Sequence, residues 1–438
     1  MRRILCWLLI LMLALAAAAC ERPPKERSVA WQAPAGQWRV DAADGKRDVS
    51  FTITNEGPAD AQLTRLYAAG EPDFSSVQHF RDSLGVAEKR PDEIAALLVD
   101  LVFRHMKSGR RTAALKEVED DPLKAMAMIG EGEPEDLART LALLAQVCGI
   151  KSRLLNLDRH FATVLQWDEV WHLADPTFGF IFYDKETRQY PSLSELALRM
   201  PLVKRNMSEA PRWKGKGDVT ELYQWYLQQS LQNRLVDLSG ANDSIAPWPL
   251  PAGAELTFEL GGQGTREGVW RFTKQDDWSG RIPDFISVEG LTPRLYGFGP
   301  EKAGMPGTLR LEINLPFPVR RVSFTMNGKL PEGAGPRIEV FIMAPGQGPG
   351  DPKRVFDDDT DYTKPLRVEY EFDRGMYGPV RVEVRLLPAA MFITGIEWEL
   401  GFLHGSAAAP LVAGRVAPVA AEAQSEGEAK LVAVHRWR

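Results

Sequence analysis

Cysteine is nearly absent from this chain: three occur in 438 residues, with Cys6 and Cys20 near the N-terminus and Cys148 far inside. Once the N-terminal segment is set aside, a single thiol remains. No disulfide framework can then staple the folded part, and no CxxC metal or redox pair exists. Histidine is also scarce, at six residues, and no HExxH spacing occurs, so no resident metal is expected. A glycine-rich phosphate loop is missing too, and no cofactor is expected. Charge of one sign does not dominate: 53 basic against 59 acidic residues leave a net −6. No block of Lys or Arg stands out, which argues against nucleic acid as a partner. What is there is ordinary globular composition, 44% hydrophobic and 26% charged. That is enough apolar material, over this length, for two or three domains with real cores.

One long apolar run stands at the start. Arg2 and Arg3 precede an uninterrupted stretch from Ile4 to Ala19, which ends abruptly at Glu21-Arg22-Pro23-Pro24. It is too short to read comfortably as a membrane-spanning helix and has the layout of an export signal. Its end, Ala17-Ala18-Ala19-Cys20, resembles a lipobox, in which the cysteine is diacylated and becomes the new first residue. Residues 1–20 are therefore expected to be a bacterial lipoprotein signal peptide, with Cys20 the lipidation site. An ordinary signal cut after Ala19 is the alternative. Glu21 in place of aspartate favours the outer membrane, facing the periplasm. Such an anchor attaches a protein to the bilayer without crossing it.

The remainder divides by pattern. Residues 21–72 read as a polar tether, to about Arg27, and a short β region in which Val49, Phe51 and Ile53 alternate with polar residues before the turn Asn55-Glu56-Gly57-Pro58. Residues 73–240 are mostly helical. Pro91-Asp92-Glu93 opens a helix with Ile94, Leu97, Leu98, Leu101 and Val102 on one face, and a second helix runs from Pro134 to Cys148, stopped by Gly149. Strand candidates follow at Ser152–Leu157, His160–Trp167 and Val170–Ala174. Residues 252–403 read as all-β, with Leu309/Leu311/Ile313/Leu315, Ile338/Val340/Ile342, Val368/Tyr370/Phe372 and Val380/Val382/Val384 marking alternate positions between Gly- and Pro-rich turns. Residues 405–438 lack a sustained period and are expected to be a disordered tail.

The segment with chemical content is Gly132-Glu133-Pro134-Glu135-Asp136-Leu137-Ala138, then Gly149-Ile150-Lys151-Ser152-Arg153, His160, and Trp171 ahead of Asp175-Pro176-Thr177. In order and spacing it resembles the core of the transglutaminase-like superfamily, a papain-like thiol fold, over roughly residues 90 to 190. The resemblance implies a catalytic cysteine at the start of the helix, with His160 and Asp175 completing a triad. The residues themselves favour the last pairing. If Asp168-Glu169 is a two-residue hairpin turn, Trp167 pairs with Val170 and Ala162 with Asp175, which makes His160 and Asp175 diagonal neighbours on one face. A carboxylate there would orient the imidazole. A surface histidine beside a turn-initiating aspartate is the alternative.

The nucleophile breaks the pattern. The family cysteine position is Pro134, whose ring suits the first turn of a helix. Glu131, Glu133, Glu135 and Asp136 crowd it, suit the positive end of a helix dipole, and would raise a thiol pKa rather than lower it. Cys148 stands 14 positions along, about 21 Å away on a straight helix, and shares the apolar face of Leu141 and Leu144. Glu133 or Glu135 acting with His160 would be general acid–base chemistry, against a plain helix-end role.

In the β-rich part, Arg320-Arg321-Val322-Ser323-Phe324 and the Ile393–Leu400 stretch loosely resemble discoidin-like or carbohydrate-binding jelly rolls. Trp270, Trp278 and Trp398 either stack on sugar rings or pack. Asp357–Asp361 is either a calcium loop or a solvated acidic turn. Tyr223, Trp225 and Tyr226 read as helix packing. The combined expectation is an α+β protein, a transglutaminase-like core degenerate at the nucleophile followed by an antiparallel β-sandwich of jelly-roll type. Its expected job is to bind or scaffold envelope peptide, polysaccharide or a partner protein. An active cysteine amide hydrolase or acyl transferase is the competing reading.

Overall fold

The computed structural model describes residues 25–32, 35–40, 48–68, 71–157, 160–196, 198–210, 245, 247–259, 265–275, 282–294, 297–302, 305–329, 337–343, 353–358, 365–387, 392–405, 417–425 and 427–437. The fold is α+β, antiparallel sheet for most of its length with helices gathered in the middle of the chain. Four strands open it, β1 (Lys25–Gln32), β2 (Ala35–Val40), β3 (Asp48–Asn55) and β4 (Ala61–Ala68). The central segment carries α1 (Val77–Leu84), α2 (Pro91–His105), β5 (Lys107–Ser108), α3 (Ala113–Val118), α4 (Pro122–Lys124) running into a π-helical turn at Ala125–Ile129, β6 (Glu131–Gly132), α5 (Pro134–Val147), β7 (Lys151–Asn156), β8 (Phe161–Trp167), β9 (Val170–Asp175), β10 (Phe180–Ile181), α6 (Leu193–Leu196) and α7 (Met200–Glu209). Thirteen further strands follow: β11 (Trp248–Leu250), β12 (Ala254–Glu259), β13 (Arg266–Gln275), β14 (Ile286–Glu289), β15 (Leu291–Arg294), β16 (Gly297–Pro300), β17 (Gly307–Lys329), β18 (Arg337–Met343), β19 (Lys353–Asp358), β20 (Leu366–Leu387), β21 (Phe392–His404), β22 (Ala417–Ser425) and β23 (Lys430–Trp437).

Local chemistry explains the central elements. α5 starts on Pro134 at its first position, with a reciprocal capping box between Glu133 and Asp136 in which the Glu133 amide donates to Asp136 Oδ2 at 2.8 Å. It ends in a Schellman motif: Gly149 takes φ 85°, its amide donates to Gln146 O at 2.9 Å, and the Ile150 amide donates to Ala145 O at 2.8 Å. α2 likewise begins on proline, and the Arg90 amide donates to Glu93 Oε2 at 3.0 Å. Its face differs from the periodic reading at one position. Leu97 is 37% exposed while Ala95 and Val99 are buried, because the buried face is one broad arc turned towards Ala95 and Val99 and away from Leu97.

The central sheet has the order β10-β9-β8-β7. One face lies under α2 and α5, where Leu165, Trp167 and Ala174 join Leu98, Val102, Leu141 and Leu144. The other face packs on α6 and α7 through Ala162, Val164, Leu173, Leu202 and Val203. Side-chain hydroxyls tie the first face to α5: Ser152 Oγ donates to Ala142 O at 2.7 Å and Thr163 Oγ1 to Ala138 O at 2.8 Å.

The β-rich part is a sandwich around one core, a 13-stranded sheet with the main path β1-β23-β3-β12-β13-β21-β17-β20-β18-β19, and a 4-stranded sheet β11-β4-β22-β2. Two long strands carry it. The Val368–Phe372 and Val380–Val384 segments, separate in pattern, form the single strand β20, and β17 bends where its register shifts between Leu315 and Val319.

The tail expectation is overturned. Part of the 405–438 stretch forms β22 and β23, and these complete both sheets, β23 between β1 and β3 and β22 between β2 and β4. Leu431 and Ala433 of β23 and Ala421 and Ala423 of β22 face the core and alternate with partly exposed neighbours, but alanine and valine stand on both faces, so the alternation is faint in the sequence. The tether likewise gives way to strand from Lys25 onward.

Candidate functional site

His160 and Asp175 meet in the fold. The β8–β9 hairpin pairs Trp167 with Val170, Gln166 with Trp171 and Thr163 with Ala174, the register of a two-residue turn at Asp168-Glu169. Both turn residues take positive φ, 49° and 60°, as a type I′ turn requires. His160 Nε2 lies 2.6 Å from Asp175 Oδ2, and both side chains are buried, at 3% and 0% exposure. The carboxylate can only accept, so Nε2 carries the hydrogen. Its other oxygen, Oδ1, accepts from the Thr177 and Phe178 amides at 2.9 and 3.2 Å. Asp175 thus both orients the ring and initiates the turn that follows, and the imidazole lies against Phe178 with ring centroids 5.3 Å apart.

The orientation of this pair decides its chemistry. Ala174 belongs to the core under α2 and α5, whereas Leu173 packs with α7. Strand alternation therefore places Asp175 on the α7 face, and Phe178 packs on that same cluster. α5 lies across the opposite face. Pro134, the first residue of α5, stands amid a lattice of charges. Arg111 reaches Asp136 at 3.3 Å and pairs with Glu119, while Arg139 bridges Asp120 and Glu135 at 3.4 and 3.3 Å. Burial raises the Asp136 carboxyl above its ordinary range despite the Glu133 amide and Arg111. Gly132 has no room for a side chain, since a Cβ would lie 2.7 Å from that of Asp136. These groups close the helix start as a structural cap.

Cys148 sits at the other end of α5, 5% exposed, within the core formed with Leu144, Val147 and Ile150. Burial pushes its thiol up to about 12, well away from a thiolate at neutral pH.

The tryptophans of the sandwich are packing residues. Trp270 and Trp398 are fully buried, edge to face with centroids 5.5 Å apart, and Trp270 Nε1 donates to Pro249 O at 2.8 Å. Neither offers a face to a sugar ring. Cys20 with the rest of residues 1–20, Trp278, and Tyr223, Trp225 and Tyr226 lie outside the described residues, as does Asp357–Asp361 beyond the strand residue Asp358.

A feature that sequence pattern left unmarked lies at the turn end of the same hairpin. A cleft of about 1010 Å³ opens between this turn, the start of α2 and the 183–195 segment, lined by Trp167, His172, Tyr183 and Tyr190 among others. The clustering of aromatics over residues 167–190 was its only sequence signal, spread over two strands and a loop.

No helix among the described residues is long and apolar enough to cross a membrane. No family model matches the chain, and no curated protein matches it either. Among solved structures, TmCBM61 in complex with β-1,4-galactotriose is similar at 16% identity, over 30% of this chain and 86% of that one, with a TM-score of 0.18. Infectious bursal disease virus structures are similar too: the Gx strain at 12% identity, over 47% of this chain and 56% of that one, TM-score 0.19, and the Gt strain at 10%, over 46% and 53%, TM-score 0.16. The chain thus spans about half the length of the viral chains. Superpositions this loose leave the function to be read from the residues.

Proposed function

We propose that this chain is a lipid-anchored protein of the bacterial cell envelope, held at Cys20 on the periplasmic side of the outer membrane, whose transglutaminase-like segment binds or scaffolds rather than catalyses. The observation supporting the non-catalytic reading is the pair of ends of α5: proline where the family carries its nucleophile, and the lone internal thiol buried at the far end. A nucleophile must come within hydrogen-bond reach of its base, about 2.6–3.2 Å or somewhat looser without substrate. Pro134 has no nucleophilic atom, and the carboxylates around it oppose a thiolate. His160 and Asp175 then act as a buried hydrogen-bonded staple that fixes the β8–β9 hairpin. The ligand class by analogy is envelope peptide or polysaccharide, or a protein partner of the envelope.

Alkylation of Cys148 in the folded, non-lipidated chain, followed against pH, tests this reading. Labelling should be negligible until the protein unfolds. Fast labelling below about pH 7 that slows in His160→Ala would mean an activated thiol and would overturn it. The anchor is tested by feeding cells an alkyne fatty acid. The wild-type chain should incorporate it and Cys20→Ala should not, whereas an unlabelled wild type would mean an ordinary signal cut.

A further inference from the structure

We infer that the cleft at the turn end of the β8–β9 hairpin is a saccharide-binding site, in which Tyr190 and Trp167 supply the aromatic wall and His172 accepts a ligand hydroxyl. At about 1010 Å³ its volume is at the upper end of small-molecule sites. It is separate from the His160–Asp175 pair. Seven residues of extended strand, about 23 Å, run from Trp167 back to His160. Trp167 and His172 also belong to the α2/α5 face of the sheet, whereas Asp175 belongs to the other.

The wall is rigid. The Trp167 and His172 rings stack with centroids 3.8 Å apart and an 11° tilt, and Tyr190 stands edge-on to Trp167 at 5.5 Å and 88°. Tyr183 abuts Tyr190 at 5.1 Å, so the rings hold one another before any ligand arrives.

His172 supplies the second observation. Its Nδ1 lies 3.2 Å from Pro191 O, and a carbonyl can only accept, so Nδ1 carries the hydrogen and Nε2 is left as an acceptor. The residue is 5% exposed, and Nε2 is buried with no hydrogen-bond partner among the described residues. Burial lowers its pKa, against the Pro191, Trp167 and Tyr190 carbonyls and Asp168, which raise it, so the neutral ring is favoured. An unmet buried acceptor is destabilising, and a ligand O–H would offset that.

Charge selects the ligand class. Asp92, Asp168 and Glu195 line the cleft alongside Arg90 and Arg188, and Arg90 is already bonded to Asp92 at 3.0 Å. An anionic ligand would face three carboxylates, and a cation would face two guanidinium groups. A neutral polyol uses both kinds, donating hydroxyls to carboxylates and accepting from arginine, while its C–H faces rest on the aromatic rings.

Backbone conformation adds to this. Three non-glycine residues take positive φ among the described residues: Asp168, Glu169 and Arg188, the last at 57°. Two of them line the cleft and the third adjoins it. Such conformations are strained where glycine would not be, so the turns keep charged side chains at a cost in stability.

Titration calorimetry of the non-lipidated chain with maltotriose, cellotriose and triacetylchitotriose tests the site. At least one should bind, and Tyr190→Ala should weaken it by about tenfold or more. Arg188→Gly removes a guanidinium and relaxes the left-handed position, so it should weaken binding several-fold while raising the thermal midpoint, which a folding defect would not do. Absence of heat with all three glycans would overturn the proposal. So would binding unchanged in both variants, or displacement of the glycan by trialanine, which would make the cleft a peptide site. None of these outcomes alters Cys148 labelling, so the site and the non-catalytic reading stand or fall separately.

Discussion

Replacing His160 by alanine leaves the Asp175 carboxylate buried without its ring partner, and buried charged groups that lose a partner cost far more than exposed ones. The expected loss is roughly 3–5 kcal/mol, read as a lower urea midpoint, and a loss below about 1 kcal/mol would mean that the pair contributes little to holding the hairpin. Pro134→Cys probes the same question from the other side. The new thiol would sit among Glu133, Glu135 and Asp136, with the sheet between α5 and the face that carries Asp175. Its alkylation should need alkaline pH and should be indifferent to a second His160→Ala change. A rate that falls with that second change would place His160 within reach of the helix start. Two other histidines set the acid limit. Burial pushes His105 and His404 from 6.5 to about 4 in the fold. The unfolded chain takes up protons at these positions near 6.5 while the folded chain does not until about 4. Stability is therefore full above about 6.5 and lost as pH falls towards 4, by at most roughly 3 kcal/mol for each histidine. Urea midpoints at several pH values check this, and a flat profile across that window would contradict it.

Among the elements, α5 was legible almost residue for residue, because its start and stop are written in local chemistry: proline at the first position, a Glu133–Asp136 box and Gly149. The β7–β8–β9 meander was legible for a similar reason, since a two-residue turn fixes register and hence which side chains share a face. The π-helical turn Ala125–Ile129 was not legible. It joins the two halves of the molecule, with Met126 and Ala127 in the helical core and Met128 and Ile129 in the sandwich core. The Gly405 amide donates to Ala127 O at 2.7 Å, and a Cβ there would collide with the Met126 carbonyl. Gly405→Ala should therefore loosen the joint and destabilise the chain by about 1–3 kcal/mol. Proteolysis between the two halves, compared with wild type, would report it, and unchanged protection would show that the turn yields without cost.

At the scale of the molecule, the two ends of the chain are interleaved. β23 runs between β1 and β3, and β22 between β2 and β4, so each sheet is closed by strands hundreds of positions apart. Removing residues 406–438 would bare the edges of four strands at once, and bare edges recruit other chains. The truncated protein should aggregate, seen as loss of the monomer peak in size-exclusion chromatography. A monomeric truncated chain with an unchanged far-UV spectrum would show the C-terminal strands to be dispensable. For the same reason residues 252–403 alone lack β3 and β23, and a binding assay on that piece would probe an incomplete sheet.

Local signals sufficed for the helix ends, the hairpin register and the alternating strands from Leu309 to Val384, because each is set within a few residues by capping, turn geometry or side-chain period. The face on which Asp175 lies relative to α5, the burial of Cys148, Trp270 and Trp398, the pairing of the C-terminal strands and the cleft around His172 came only from the tertiary structure. These depend on which surfaces meet across long stretches of chain, and burial, pKa and enclosure are properties of those meetings rather than of any one residue.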